Sequence, residues 1–310
     1  MTEMKAPRDA IGKALIQLAE NNFPITVIDC DLASSTRADQ FAKNYPERFF
    51  EMGIAEASSL SFAAGQSFEG LIPFFIDFAI FATGTVWTQL RQSCYANANI
   101  KIVGTHPGVD GGFDGASHHA LEDIALTRVL PNLTVLSPAD ADEVYQAFEQ
   151  AAKINGPVYI RVAREPMPLR DKTIVPRVND IDAVIDEGND FAIIFEGASY
   201  EQANDGYQKL TSLGHKGKLV HLACIKPFNQ EKFKSLCQHA NVLITVENHS
   251  INGGVGGLIA EQSMQNGILK PLIRIGVSDT FTESGKSSQL KDKYGISGQN
   301  ICDQFLQVIS

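Results

Sequence analysis

The chain has 310 residues, 44% of them hydrophobic and 20% charged, with a formal net charge of −10, the balance of a soluble globular protein long enough to bury two cores. The acidic balance and the lack of a Lys/Arg block argue against nucleic acid and anionic membrane as partners. There is no basic-then-apolar leader at the N-terminus and no bilayer-length apolar stretch, and five scattered cysteines without a CxxC pair read as reduced thiols of a cytoplasmic protein.

In chain order, a helical pattern over 9–20 leads into an apolar run at 25–29. A helix over 54–68 follows, then runs at 71–76, 100–104 and 133–136, a helix over 141–153 capped by Asp140, and a run at 158–162. The runs are nearly continuous in Ile, Val and Phe, as strands buried on both faces of a parallel sheet should be. The stretch 164–188 holds prolines 166, 168 and 176 without periodicity and is the linker candidate. A second series starts after it, with runs at 191–195, 218–223, 242–246 and 272–275. The expected fold class is α/β, with two domains of mostly parallel sheet. Their expected boundaries are 1–170 and 188–310, joined by a linker at 171–187.

In open α/β sheets ligands bind outside the carboxyl ends of the strands. The run at 25–29 continues into Cys30-Asp31-Leu32-Ala33-Ser34-Ser35, the run at 100–104 into Thr105-His106, and the run at 158–162 into Ala163-Arg164. Acid, histidine and arginine thus converge on one edge, a polar site suited to a small anionic molecule. After His106 the chain reads Pro107-Gly-Val-Asp-Gly-Gly-Phe-Asp114-Gly-Ala-Ser-His118-His119, and its glycines let backbone approach a ligand. Asp114 and His118 are expected to flank a helix start that favours an anion, with His119 the bystander. The competing reading is a surface loop with solvated histidines.

Glu56 opens a helix of small residues, Ala57, Ser58, Ser59, Ser61, Ala63, Ala64 and Gly65, which suits close packing of another backbone. A carboxylate desolvated there could exchange a proton near neutral pH. Residue types alone favour the simpler reading, a first-turn Glu complementing the helix dipole. Phe75, Phe78 and Phe81 recur every three residues, which reads first as core and second as a platform for a flat heterocycle. Asn252-Gly-Gly-Val-Gly-Gly257 has Ile259 at the third GxGxxG position, against dinucleotide binding. Glu247-Asn-His249 at a strand end suits a site, an interface or a loop. HExxH, P-loop and GxSxG patterns do not occur.

Taken in order, these segments resemble the transketolase family across nearly the whole chain. They are Phe50-Glu-Met-Gly-Ile-Ala-Glu56-Ala, Phe75-x-x-Phe78-x-x-Phe81, Gly104-Thr-His106 through Asp114-Gly-Ala-Ser-His118, Leu130-Pro-Asn-Leu-Thr-Val, Ser137-Pro-Ala-Asp140 and Arg161-Val-Ala-Arg164. The resemblance implies a thiamine-diphosphate-binding fold, with a pyrimidine-binding domain followed by a transketolase C-terminal domain. It gives Glu56 the role of the glutamate that hydrogen-bonds N1′ of the aminopyrimidine and activates the cofactor. Phe75, Phe78 and Phe81 match the aromatic pocket around that ring, and Asp31 and Leu32 match a segment lining the cofactor. His106, a catalytic candidate beside Glu56, and Asp114 match residues that hold the hydroxyls of the donor ketose. Arg8, Ser35, His118 and Arg164 match the substrate channel. The implied activity is transfer of a two-carbon ketol unit from a ketose, expected to be phosphorylated, to an aldose.

Two departures bear on the sugar. Phe113 stands where many relatives carry an acid, and Thr85-Val-Trp87-Thr-Gln replaces a stretch that often carries Arg and Asp. A larger departure is the missing Gly-Asp-Gly motif, through which relatives bind diphosphate and Mg²⁺ (or Ca²⁺). The resemblance therefore implies an N-terminal partner subunit holding the metal and diphosphate, in an α2β2 heterotetramer. The runner-up reading is a subunit like 1-deoxyxylulose-phosphate synthase or the 2-oxo acid dehydrogenase beta chain. A non-catalytic assembly protein is the reading from another class, and it gives no reason to retain Glu56, His106, Asp114 and His118 together.

Overall fold

The computed structural model describes residues 3–169 and 180–310. The first half contributes strands Met4–Lys5 (β1), Ile25–Asp29 (β2), Phe49–Glu51 (β3), Ile72–Phe78 (β4), Lys101–Thr105 (β5), Thr134–Leu136 (β6), Val158–Val162 (β7) and Met167–Pro168 (β8). The second contributes Asp182–Asp186 (β9), Phe191–Phe195 (β10), Gly217–His221 (β11), Cys224–Lys226 (β12), Val242–Ser250 (β13) and Leu272–Val277 (β14). One sheet has the order β12-β6-β7-β5-β4-β2-β3 and the other β14-β13-β10-β11-β9, while β1 and β8 form a short antiparallel clip. In each sheet all neighbours run parallel except one antiparallel edge strand, β12 or β9.

The apolar runs are continuous because both faces of the sheets are covered. In the first sheet, side chains alternate between two cores. Phe75, Ile28 and Ile102 pack with Leu60, Ala63, Leu90 and Cys94 from the helices Glu56–Phe68 and Trp87–Tyr95. Phe74, Val27 and Val103 pack on the other face with Leu15, Leu18, Val144 and Phe148 from the helices Ile11–Glu20 and Ala141–Lys153. Phe74 stacks on Phe148 with ring centroids 5.4 Å apart. Asp140 caps the helix Ala141–Lys153, its side chain accepting from the Glu143 N–H at 2.9 Å. Among the described residues no helix is long and apolar enough to cross a membrane.

Two features differ from the sequence expectation. Of the expected linker, 171–179 lies outside the described residues, while Asp182–Asp186 forms β9, antiparallel to β11. Its apolar stretch is only Ala183-Val-Ile185 between aspartates, too short to register as a strand without its partner. Strand β12 comes from the second half of the chain yet pairs with β6 at the edge of the first sheet, so the two units share a strand.

Arg161 joins them more deeply. In the second sheet the chain passes from β10 to β11 on one side and then to β13 on the other, which makes the β10–β13 boundary the place where such sheets hold ligands. Here Arg161 of β7 fills that crevice, 1% exposed. Its Nε and Nη2 donate to the Asp123 carboxylate at 2.7 and 3.1 Å, Nη1 donates to Glu196 Oε2 at 2.8 Å, and Nη2 also donates to the Asn248 carbonyl at 2.8 Å. Tyr159 donates to the same Asp123 at 2.7 Å, and Gly104 leaves room for it, since a Cβ there would lie 2.3 Å from the Tyr159 hydroxyl.

Candidate active site

His106 follows β5 with a left-handed φ of 56° and is 2% exposed. Its Nε2 lies 3.1 Å from Arg8 Nη1 and its Nδ1 2.9 Å from Thr105 Oγ1. A guanidinium can only donate, so Nε2 accepts and Nδ1 carries the ring proton toward Thr105. Burial first, then the Arg8 and Arg164 guanidiniums, push His106 down to about 2, which leaves the ring neutral at physiological pH. Arg8 Nη1 also donates to the Ser35 carbonyl at 3.0 Å, and Arg8 Nε is buried without a partner among the described residues. Arg8, Ser35, His106 and Arg164 are thus brought together at one sheet edge. Asp31 is exposed with a φ of 64°, and its backbone N–H donates to Glu51 Oε1 at 2.9 Å.

Phe78 bridges this cluster to the aromatic residues. Its ring centroid is 4.0 Å from that of His106 and 6.2 Å from that of Phe81, nearly parallel at 11°. Phe81 meets His118 edge-on at 5.3 Å. Phe78, Phe81, His106 and His118 form one wall, whereas Phe75 is fully buried in the core beneath it. Glu56 is half-buried at the first turn of its helix.

Three carboxylates that sequence reasoning missed lie nearby, two of them fully buried. Asp29 is fully buried at the end of β2, and its Oδ1 accepts from the Leu32 N–H at 2.7 Å, which fixes the turn carrying Asp31 and Leu32. Asp77, fully buried near the end of β4, accepts from the Phe78 N–H at 2.7 Å, while its Oδ2 is buried without a partner among the described residues. Glu51 Oε1 accepts from the Asp31 and Gly53 N–H groups, both at 2.9 Å. Burial, with Glu51 adding repulsion, raises Asp29 to about 7; burial, with Glu56 and Asp29 adding, raises Asp77 to about 8. The only signal in the sequence is an acid closing an apolar run, which reads equally well as a turn residue.

A pH dependence follows. Both folded values lie above the unfolded value of about 3.9, so the folded chain holds protons that the unfolded chain has lost. Stability is therefore greatest below about pH 4 with respect to these groups and falls as pH rises toward 7–8, by up to roughly 1.4 kcal/mol per pH unit per group. Asp77→Asn is expected to remove one group's share of that fall, up to roughly 1.4 kcal/mol per pH unit between about pH 5 and pH 8, measured by denaturant unfolding of the chain. An unchanged slope would show that Asp77 ionises normally.

The loop after His106 departs from the expected helix start. It forms 3-10 turns at Val109–Asp114 and Ala116–His118, broken by Gly112 at φ 62° and Gly115 at φ 79°. Glycines in the left-handed region interrupt a helix. Asp114 is exposed, and the half-buried His118 pairs its Nδ1 with Ser117 Oγ at 2.9 Å. The neighbouring His119 is buried, with Nε2 donating to the Gly112 carbonyl at 3.1 Å and Nδ1 accepting from Thr282 Oγ1 at 2.6 Å. It pins the loop, in keeping with its reading as a bystander. Arg164 Nη1 donates to the carbonyls of Asp110 and Gly111 at 3.3 and 3.2 Å.

The glycine-rich run of the second unit is already filled. Glu247 accepts from the N–H groups of Val255 and Gly256 at 2.6 and 2.9 Å, and a Cβ on Gly254 would lie 2.0 Å from Glu247 Oε2. Burial raises Glu247 to about 7, against those two N–H donors. An internal carboxylate occupies the helix N-terminus where a phosphate would otherwise bind.

Comparison with known proteins agrees with this layout. The family model for the transketolase pyrimidine-binding domain matches residues 3–168, and that for the transketolase C-terminal domain matches residues 182–301. A Methanocaldococcus jannaschii protein described as a transketolase C-terminal section is 37% identical over 98% of this chain and 96% of its own length. A 6-deoxy-6-sulfo-D-fructose transketolase subunit from a Clostridium species is 32% identical over 95% and 91%. A split-gene transketolase solved as an inactive β4 tetramer superimposes with a TM-score of 0.89 at 38% identity, covering 97% of both chains.

Proposed function

The chain belongs to the transketolase family, and on that premise we propose that it is the Glu56-bearing C-terminal subunit of a split, thiamine-diphosphate-dependent transketolase. It would transfer a two-carbon ketol unit from an anionic ketose to an aldose, in the cytoplasm, with a diphosphate-binding N-terminal subunit in an α2β2 assembly. The observation that carries the reading is the continuous wall of Phe78, Phe81, His106 and His118 rimmed by Arg8 and Arg164.

The residues present fit the pyrimidine end of the cofactor. Phe78 and Phe81 give a flat apolar wall, Glu56 gives a carboxylate at a helix start, and Asp77, next to Phe78, keeps an orphaned buried oxygen among the described residues. For the diphosphate end, Glu247 fills the glycine-rich helix start. That supports placing Mg²⁺ and diphosphate mainly on the partner. The cofactor, when bound, supplies the carbon that adds to the donor carbonyl. Glu56 would hold a proton at N1′ of the aminopyrimidine. Neutral His106 and Asp114 would bind donor hydroxyls, and Arg8, Ser35, His118 and Arg164 would seat the distal anionic group.

The donor tests the reading. Assembled with a companion subunit, thiamine diphosphate and Mg²⁺, the enzyme should use phosphorylated or sulfonated ketoses in preference to neutral ones. Activity on pyruvate with glyceraldehyde 3-phosphate, or on 2-oxo acids, without ketose activity would replace it with the synthase-like or dehydrogenase-like alternative.

The partner contact has its own test. Gly65 lies on the exposed side of the Glu56 helix, and a Cβ there meets nothing within 4 Å. Gly65→Leu should leave the chain folded but weaken its association with the companion by roughly 10–100-fold, from an overpacking cost of about 1–3 kcal/mol, read by titration. Unchanged affinity would move the interface off this helix.

A further inference from the structure

The loop that carries the sugar-binding residues is built against the second unit. Asp110, fully buried at its centre, receives three donors from two elements of the second unit, β13 and the helix Ser287–Lys293. Its Oδ1 accepts from Asn248 Nδ2 at 3.0 Å, Ser287 Oγ at 3.1 Å and Lys291 Nζ at 3.1 Å. Its Oδ2 accepts from the Arg164 backbone N–H at 3.2 Å. Lys291 is itself 5% exposed, so this ion pair is sealed from solvent.

Further contacts fix the same loop. Asn248 Oδ1 accepts from the Val109 N–H at 3.0 Å, and its Nδ2 also donates to the Pro107 carbonyl at 3.1 Å. Gly108 sits so close that a Cβ would lie 2.1 Å from the Asn248 carbonyl oxygen. On the far side, Ser284 Oγ donates to the Phe113 carbonyl at 2.7 Å and the Gly285 N–H to the Gly112 carbonyl at 3.3 Å. The loop thus leaves His106, docks on the second unit throughout its glycine-rich stretch, and returns to His118.

We infer that Lys291, acting through Asp110, is a positioning residue for the donor site: it fixes where Arg164 and the loop bearing Asp114 and His118 stand. Lys291 touches neither the aromatic wall nor Glu56 in the contacts described. Its effect reaches the sugar through Asp110, whose carboxylate holds the Arg164 backbone while its own carbonyl and that of Gly111 orient the Arg164 guanidinium. The second unit, which lends the wall itself no side chain, would in this way set affinity for the donor's anionic end. This inference rests on the ketose-transfer reading for its kinetic part and on geometry alone for the rest.

The test uses Lys291→Met and the double variant Asp110→Asn/Lys291→Met. The single change leaves a buried carboxylate without its cation and can impair folding. The double change removes both charges and keeps Asn248 and Ser287 supplied with an acceptor. In the assembled enzyme the double variant is expected to raise KM for an anionic ketose by about tenfold or more, the loss of one well-placed charged contact. The expected change in kcat is less than about threefold, with thiamine diphosphate affinity unaltered. Amide hydrogen exchange on the chain supplies the readout that does not depend on activity: faster exchange at 107–119 and 163–165, with β10 and β13 unchanged. KM unchanged in a folded double variant, or KM and cofactor affinity rising together, would overturn the positioning role. Unchanged exchange at 107–119 would overturn it even if the enzyme proved to act on another substrate class, and failure of the wild type to use any ketose would sink only the ketose-transfer reading.

Discussion

Glu56→Gln in the assembled enzyme is expected to lower ketol transfer by roughly 10²–10⁴-fold, the range for losing a positioned acid–base group. Glutamine keeps the size of the side chain and one hydrogen bond but cannot hand over a proton. Glu56 opens the helix Glu56–Phe68 and is half-buried on this chain alone, so its replacement disturbs no packed core. The charge change also removes a repulsive neighbour of buried Asp77 and Cys30, both raised in part by Glu56. The variant's melting temperature and its affinity for the companion should match the wild type. The check is a kcat measurement alongside both controls. Activity surviving unchanged would remove Glu56 from the chemistry and return it to the role of an ordinary first-turn carboxylate.

The largest effect on stability is expected at Arg161. Burial works against every charge in its network, yet Asp123 and Glu196 outweigh it and hold the guanidinium firmly charged. Burial likewise pushes Glu196 up, but Arg161 first, then Ser199 and the N–H groups of Asn248 and Ala198, bring it below the usual carboxylate range. Arg161→Met strands two fully buried carboxylates and should cost about 3–5 kcal/mol. For a chain of this length that is a fall in Tm of roughly 5–8 °C. Because the pair spans the two units, the loss should appear as weakened coupling of their unfolding, followed by calorimetry. Combining Arg161→Met with Asp123→Asn and Glu196→Gln should recover part of the loss, since the penalty lies in the unpaired charges rather than in the missing contact. A triple variant no better than the single would mean that packing, not charge, governs the site.

Much of the fold is legible in the amino-acid order because strands covered on both faces leave an unbroken apolar run. The spans of β2, β7 and β10 follow from such runs, and the Asp140 cap from a helix pattern with an acid before it. Strands β9 and β12 escape the same logic. Strands of five and three residues that pair with a distant partner carry no clear period of their own, and β12 leaves its neighbours in sequence to join the other sheet.

In the site, Ser35, His106 and Arg164 were visible because polar side chains placed just beyond parallel strands share an edge by construction, whereas Arg8 came only from the family resemblance. Asp29, Asp77, Asp110 and Lys291 were not, because their importance lies in burial and in partners far along the chain. Asp110 and Lys291 meet only when the second unit docks, and nothing in either local segment announces it. Glu56 stands between these cases: its neighbours' small side chains are plain in the sequence, but the role proposed for it depends on a surface that the proposed companion would cover.

Titration of the chain with its diphosphate-binding companion, at saturating thiamine diphosphate and Mg²⁺ with an anionic ketose donor, tests the central claim most directly. Ketol transfer should be absent without the companion, rise linearly as it is added and break at one companion per chain. Full activity of the chain by itself, or none at any ratio with a companion that binds it, would contradict the claim that this protein is one half of a split transketolase site.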